Sequence, residues 1–205
     1  MNKLVCNLIL ILSLYGFWLS TQKFFETDIY TKDRIIDRSH DSELLNYFHD
    51  YLKHNYEFTK YLFILTTLMI DINTLYFVYK FLFYGKHRPI YLLISGVVLR
   101  QLCQYMSRLP APDGMVWFDP GFPTLLLNYE VNSDFQWSGH SYIAILFGGE
   151  LLKSHNWLIK LYALFHIVLE ISFVLITKGH YFMDVYGAIT SYFMLVYLYD
   201  KFAKN

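Results

Sequence analysis

The sequence predicts an all-α integral membrane protein, a six-helix transmembrane bundle that forms one domain over residues 1–205. Three observations predict it. Of the 205 residues, 55% are hydrophobic and 20% aromatic, more than a soluble domain of this size carries. Mean hydropathy is positive. The apolar residues fall in long runs separated by polar turns, of which Gly85-Lys86-His87-Arg88-Pro89 is the sharpest. A formal net charge of zero, with no basic patch, argues against a nucleic-acid partner. Cys6 and Cys103 both lie in apolar runs and read as buried thiols, with no disulfide expected. No zinc-type Cys/His spacing occurs, so neither a metal nor a cofactor is expected.

Residues 4–20 are almost wholly apolar after a short basic start and form the first span. No small-x-small cleavage site follows them, so the span is expected to be retained rather than cut as a signal peptide. Residues 21–56 are polar, mixed in charge and free of Gly and Pro, and form an extramembrane segment. Within it Glu43 to Tyr51 has the pattern of a surface amphipathic helix, and His40, His49 and His54 read as solvated surface histidines.

Residues 57–199 form the catalytic five-helix part. Phe58 to Tyr84 is the second span, with Asp71 near its middle, and Ile90 to Met106 is the third. Ser107 to Trp137 is a long loop with four of the five prolines. Ser138 to Leu152, Trp157 to Ile176 and Tyr181 to Tyr199 complete the set. Six spans place both termini on one side, with the basic turns at Lys86/Arg88 and Lys153–Lys160 and the Lys201/Lys204 tail. Short basic loops stay cytoplasmic, so the proline-rich loop, His140 and His180 face the exoplasmic side, periplasmic or lumenal.

The chemistry lies between Asp134 and Asp184. His140 and His180 are separated by two apolar segments, which return the chain to the same surface. Asp184 follows His180 by four residues, so the two side chains share one face of a helix. A carboxylate on one imidazole nitrogen fixes the tautomer and frees the other to attack phosphorus or carry a proton. His180 with Asp184 is the expected nucleophile pair, and His140 the acid and base for the departing and incoming lipid oxygens. Arg100, Gln104 and Arg108 fall on one face of the third span. Arg100 either binds phosphate or pairs with Asp71 at similar depth. Arg108 and Lys178 are alternative phosphate clamps. Asp134 orients His140 or a substrate cation, or merely caps the fourth helix. Glu170 lies two to three turns below His180, about 15 Å down. Glu150 pairs with Lys153 or lies at the cytoplasmic surface. Trp117, Phe118, Phe122, Tyr129, Phe135 and Trp137 form an aromatic belt, with one or two of them able to hold a choline ammonium.

Three blocks resemble the sphingomyelin synthase family and its relatives that exchange phosphocholine between phospholipids and diacylglycerol, within the wider PAP2 or lipid phosphate phosphatase superfamily. Asp134 with Ser138-Gly139-His140-Ser141 is similar to the family's D-x-x-aromatic-S-G-H-T block. His180-Tyr181-Phe182-Met183-Asp184-Val185 is similar to H-Y-T-I-D-V. Arg100, followed by Leu109-Pro110-Ala111-Pro112, is similar to the block that runs into L-P-x-P. The resemblance covers roughly residues 100 to 190. It implies a PAP2-like bundle, catalytic His140, His180 and Asp184, and substrate contacts at Arg100, Arg108, Asp134, Ser138, Lys178 and Tyr181. It implies a phospholipid donor and a lipid alcohol acceptor, diacylglycerol or ceramide, with phosphocholine or phosphoethanolamine as the group moved. Lys80 and Arg88-Pro89 resemble the phosphatases' Lys and Arg-Pro motif but are spaced one residue too long. Val174 stands where the phosphatases carry an Arg. A lipid phosphate phosphatase and a non-catalytic membrane scaffold are the competing expectations.

Overall fold

The computed structural model describes residues 3–25, 37–106, 109–126 and 137–202. These residues form seven α-helices and one short 3-10 turn, with no β-strand among them. The helices are α1 (Lys3–Phe25), α2 (Glu43–His54), α3 (Tyr56–Tyr84), α4 (Arg88–Met106), α5 (Gly139–Leu151), α6 (Trp157–Ile176) and α7 (Phe182–Phe202). The 3-10 turn, Arg38–Asp41, precedes α2.

Local chemistry sets the ends. Asp37 caps the 3-10 turn through Ser39 N at 2.9 Å, and Asn156 caps α6 through Leu158 N at 2.9 Å. α3 stops at Gly85, whose φ of 65° is left-handed and closes the helix with a bond from Lys86 N to Lys80 O. Only two residues separate Gly85 from Arg88, so α3 and α4 form a tight hairpin.

Among the described residues, α3 and α6 are the two helices long and apolar enough to cross a membrane. The other expected spans are present as helices but differ in character. α4 carries Arg100, Gln101 and Gln104 in its last turns, and α7 carries Asp184 in its first turn and Asp200 near its end. The expected fourth span is a helix of 13 residues, about 20 Å long, against a hydrocarbon core of about 30 Å. It is a core helix rather than a lipid-facing span. Tyr142, Ala144, Leu146 and Phe147 on successive faces of α5 are all fully buried.

Close contacts enclose α5. A Cβ on Gly96 of α4 would lie 2.2 Å from the Tyr142 ring, whose hydroxyl donates to Leu92 O at 2.7 Å. A Cβ on Gly148 would lie 2.5 Å from Ile167, and one on Gly149 would lie 2.2 Å from the Tyr192 hydroxyl. Small residues at helix crossings let backbones approach, which is how helices associate in an apolar medium. Phe77 of α3 stacks on Phe147 at 4.8 Å and closes the remaining side.

One end of the bundle is an ionic knot. Arg88 at the start of α4 pairs with Glu150 at the end of α5 and lies 3.4 Å from Asp200 of α7. Lys153 also reaches Glu150, at 2.8 Å. Arg88 and Pro89 thus sit at the opposite end from the start of α5 and α7. Lys80 lies over the Tyr76 and Tyr84 rings near the same end.

Asp71 bears on one of the two open readings of Arg100. Its buried carboxylate takes the amides of Leu125 and Leu126, at 2.8 and 3.3 Å, and does not pair with Arg100. A carboxylate deep in an apolar helix needs donors, and the proline-rich loop supplies backbone ones.

Candidate active site

The turn between α6 and α7 carries the second histidine. Thr177 Oγ1 bonds back to Phe173 O at 2.8 Å, and Gly179 N bonds to Val174 O at 2.9 Å, which ends α6. Lys178, between them, has a left-handed φ of 53°, an uncommon conformation for a side-chain-bearing residue. His180 follows, and its Nδ1 lies 3.1 Å from Asp184 Oδ2. The same oxygen accepts the Tyr181 amide at 2.9 Å. Asp184 therefore holds the imidazole and the first turn of α7 together.

α5 is docked to this turn at its first residues. Ser138 N donates to Asp184 O at 3.1 Å, and Ser138 Oγ caps α5 by accepting from Ser141 N at 3.2 Å. Ser138 is fully buried, so its hydroxyl serves the helix end. His140 is the second residue of α5. Both imidazoles border one indole: Trp117 meets His140 edge-on at 5.1 Å between ring centroids and His180 at 6.2 Å. His140 is 9% exposed and His180 5%, so the site is nearly closed to water.

Arg100 lies beside the start of α5. A Cβ on Gly139 would fall 3.3 Å from its Nε. A guanidinium at a helix N-terminus, beside the residue that precedes His140, suits a phosphoryl group. Tyr181 spends its hydroxyl on Pro110 O at 3.0 Å, which ties the Leu109-Pro110 block to the histidine turn. Arg108, Asp134, Tyr129 and Phe135 lie outside the described residues. Trp137, expected in the aromatic belt, is buried in the core, with Nε1 donating to Ser191 Oγ at 2.8 Å. Among the described residues, no three His, Cys, Asp or Glu side chains converge as a metal cage.

Three residues of the expected surface segment belong to the site's surroundings. Asp37 accepts the Phe182 amide at the start of α7. Partial burial pulls its carboxyl pKa upward, but the bonds from Phe182 and Ser39 outweigh that and hold it below the ordinary value. His40 stacks on the Tyr181 ring at 5.7 Å. His49 is buried, and its Nδ1 bonds to Ile176 O at 2.8 Å. The reading of His40 and His49 as solvated is thus corrected. His54 is exposed as expected, bonding only to Asp50 O of its own helix. Leu45, His49 and Leu52 fall at i, i+4 and i+7, so the helical pattern does carry the signal that His49 faces inward.

The AtPDCT1/2 family model matches residues 42–201, from the cap of α2 to the end of α7. The chain belongs to the AtPDCT1/2 family. This is a family of lipid phosphotransferases, and the matched region contains His140, His180 and Asp184. No curated protein and no solved structure matches the chain. α1 lies outside the AtPDCT1/2 match, whereas the α2 clamp on the histidine turn lies inside it.

In this AtPDCT1/2-family chain His49 gives a pH prediction. Burial, and then nearby Lys178, lower its pKa below the ordinary 6.5, against the raising effect of its Ile176 bond. The undocked segment therefore binds more protons than the docked one, and docking weakens as pH falls below about 6.5. Hydrogen exchange of α2 amides is expected to speed up between pH 7 and 5, beyond the intrinsic pH effect. A His49→Gln chain is expected to lose that extra dependence. Equal corrected protection at both pH values would remove His49 as the cause.

Proposed function

We propose that this chain transfers phosphocholine from phosphatidylcholine to the hydroxyl of diacylglycerol through a phosphohistidine on His180. The observation that carries the reading is the His180–Asp184 pair beside His140, with both imidazoles against Trp117 in a nearly closed site. Membership of a lipid phosphotransferase family supports the substrate class.

In the first step Asp184 accepts a hydrogen bond from His180 Nδ1–H, which fixes the tautomer whose Nε2 lone pair attacks phosphorus. The bond from phosphorus to the diacylglycerol oxygen breaks, and protonated His140 gives that oxygen its proton. In the second step the acceptor hydroxyl gives its proton to His140 while its oxygen attacks phosphorus. The P–N bond breaks and its electron pair returns to His180. Arg100 and the start of α5 hold the phosphoryl oxygens in both steps. Aromatic and apolar walls keep water from the phosphohistidine.

The same reading makes the chain a multi-pass membrane protein with the site toward the exoplasmic side. Two helices fit for crossing support it, as does the knot of Arg88 and Lys153 at the opposite end from the histidines. It also carries the kinship with sphingomyelin synthases and the PAP2 superfamily.

The test supplies vesicles with phosphatidylcholine labelled in the choline and an unlabelled acceptor diacylglycerol with distinct acyl chains. Label is expected in the acceptor lipid. Label appearing mainly as free phosphocholine, or faster release of phosphate from phosphatidic acid, would establish a hydrolase. No turnover of any phospholipid would leave a non-catalytic scaffold.

A further inference from the structure

Below His140 lies a group of buried polar atoms that the two-histidine chemistry does not use. Glu170 of α6 is 1% exposed, and neither carboxyl oxygen has a hydrogen-bond partner among the described residues. One turn earlier, fully buried His166 bonds through Nδ1 to Asn73 Nδ2 at 3.0 Å, while its Nε2 is unpartnered. Tyr162 donates to Asn73 Oδ1 at 3.3 Å, which fixes the amide so that His166 Nδ1 accepts and Nε2 carries the hydrogen. Fully buried Ser141, next to His140, has an unpartnered hydroxyl.

Helix register stacks these groups below His140. α5 leaves the histidine end and α6 returns to it, so the two are antiparallel. They cross where a Cβ on Gly148 would meet Ile167 at 2.5 Å and the Ala163 carbonyl at 3.3 Å. Climbing from that crossing at the helical rise places Glu170 about one turn, roughly 5 Å, below His140. Phe173, three residues after Glu170, shares its buried face. Its ring meets Phe63 edge-on at 4.7 Å, Phe63 meets Trp117 at 5.5 Å, and Trp117 meets both histidines. An aromatic wall thus runs from the catalytic imidazoles down to the level of Glu170.

A buried carboxyl without a partner is costly and calls for an occupant. The carboxyl repels an anion, and no metal cage forms among the described residues. A carboxylate on the same buried helix face as a ring of an edge-on aromatic ladder is the chemistry that recognises an organic ammonium. We infer that Glu170, with Ser141 and the Phe63–Phe173–Trp117 wall, is the subsite for the ammonium end of the donor headgroup. The inference rests on the transferase reading: phosphorus sits between His180 and His140, and the cation reaches from the His140 level about one turn down toward Glu170. Glu170 is then a specificity residue, selecting charged headgroups over neutral ones of the same shape.

The experiment compares phosphatidylcholine with its uncharged isostere, the 3,3-dimethylbutyl phosphatidyl ester, as donors for purified protein in vesicles. The unmodified chain is expected to favour the choline lipid by about tenfold or more in kcat/KM. Glu170→Gln keeps the side-chain shape and removes a buried charge, so the chain folds. It is expected to raise KM for phosphatidylcholine by about tenfold, change kcat little and erase the preference. Asp184→Asn lowers kcat for both donors and keeps the preference. A Glu170→Gln enzyme that retains the preference, or that loses both donors equally, overturns the subsite. Thermal-shift titration with tetramethylammonium reads the subsite without turnover. The unmodified chain is expected to be stabilised and Glu170→Gln not. Stabilisation without any headgroup transfer would bring down the transferase reading alone, and equal response of both chains would bring down the subsite.

Discussion

Replacing His180 with alanine is expected to cut headgroup transfer by roughly 10⁴-fold or more, because the nucleophile itself is removed. The bundle is expected to stay folded. The histidine turn is held by backbone bonds, Gly179 N to Val174 O and Tyr181 N to the Asp184 carboxylate, neither of which uses the imidazole. Asp184→Asn is expected to lose about 10²–10⁴-fold, mostly in kcat. The amide oxygen can still take one hydrogen bond, but it no longer stabilises the tautomer with the hydrogen on His180 Nδ1. Mass spectrometry of acid-sensitive, choline-labelled protein reads the step directly: a phosphocholine adduct on His180 in the unmodified chain, and none in His180→Ala. Full activity of His180→Ala would remove the nucleophile assignment.

Gly179→Ala is expected to lower kcat by about 10²-fold, the cost of misplacing reacting groups by about an ångström. The added Cβ would lie 2.4 Å from Trp117 Cζ3 and 2.5 Å from Cε3. The indole cannot swing away freely, since Phe63, His140 and His180 border it. Gly179 is not among the left-handed glycines, so alanine suits its backbone and the effect is steric. Melting temperature in detergent is expected to move little. Trp117→Phe, smaller at that edge, should restore part of the rate in the double variant. A fully active Gly179→Ala enzyme would mean that the indole does not set the spacing of the two histidines.

What could be read from the chain alone was what is local. Apolar run length and the turn at Gly85 place α3, α4, α6 and α7 within a few residues of the expected spans, and α6 coincides with its span. The four-residue interval predicts the His180–Asp184 hydrogen bond. What could not be read joins segments far apart in sequence. Similar depth allows Asp71 to pair with Arg100, yet its donors come from a loop more than fifty residues on. Trp117 looked like one aromatic among six, and only packing puts it against both imidazoles. Sequence spacing relates Glu170 only to His180 along its own helix, whereas the crossing at Gly148 relates it to His140. The shortness of α5 was visible, but a short apolar run does not say whether lipid or protein surrounds it.

The clamp of Asp37 and His49 on the histidine turn also bears on how the molecule is made. Its two hydrogen bonds join residues 145 and 127 positions apart. A ribosome emits α2 long before Ile176 and Phe182 exist, so the turn takes its final shape only when nearly the whole chain is out. Such distant closure is slow, and the loop entropy must be met before the contact rewards it. The early half of the clamp waits with a carboxylate and an imidazole, groups that water satisfies in the meantime. The apolar helices that follow have no such interim partner. The order of synthesis therefore leaves the hydrated parts waiting longest, and a nascent chain stopped before residue 176 lacks the clamped turn altogether.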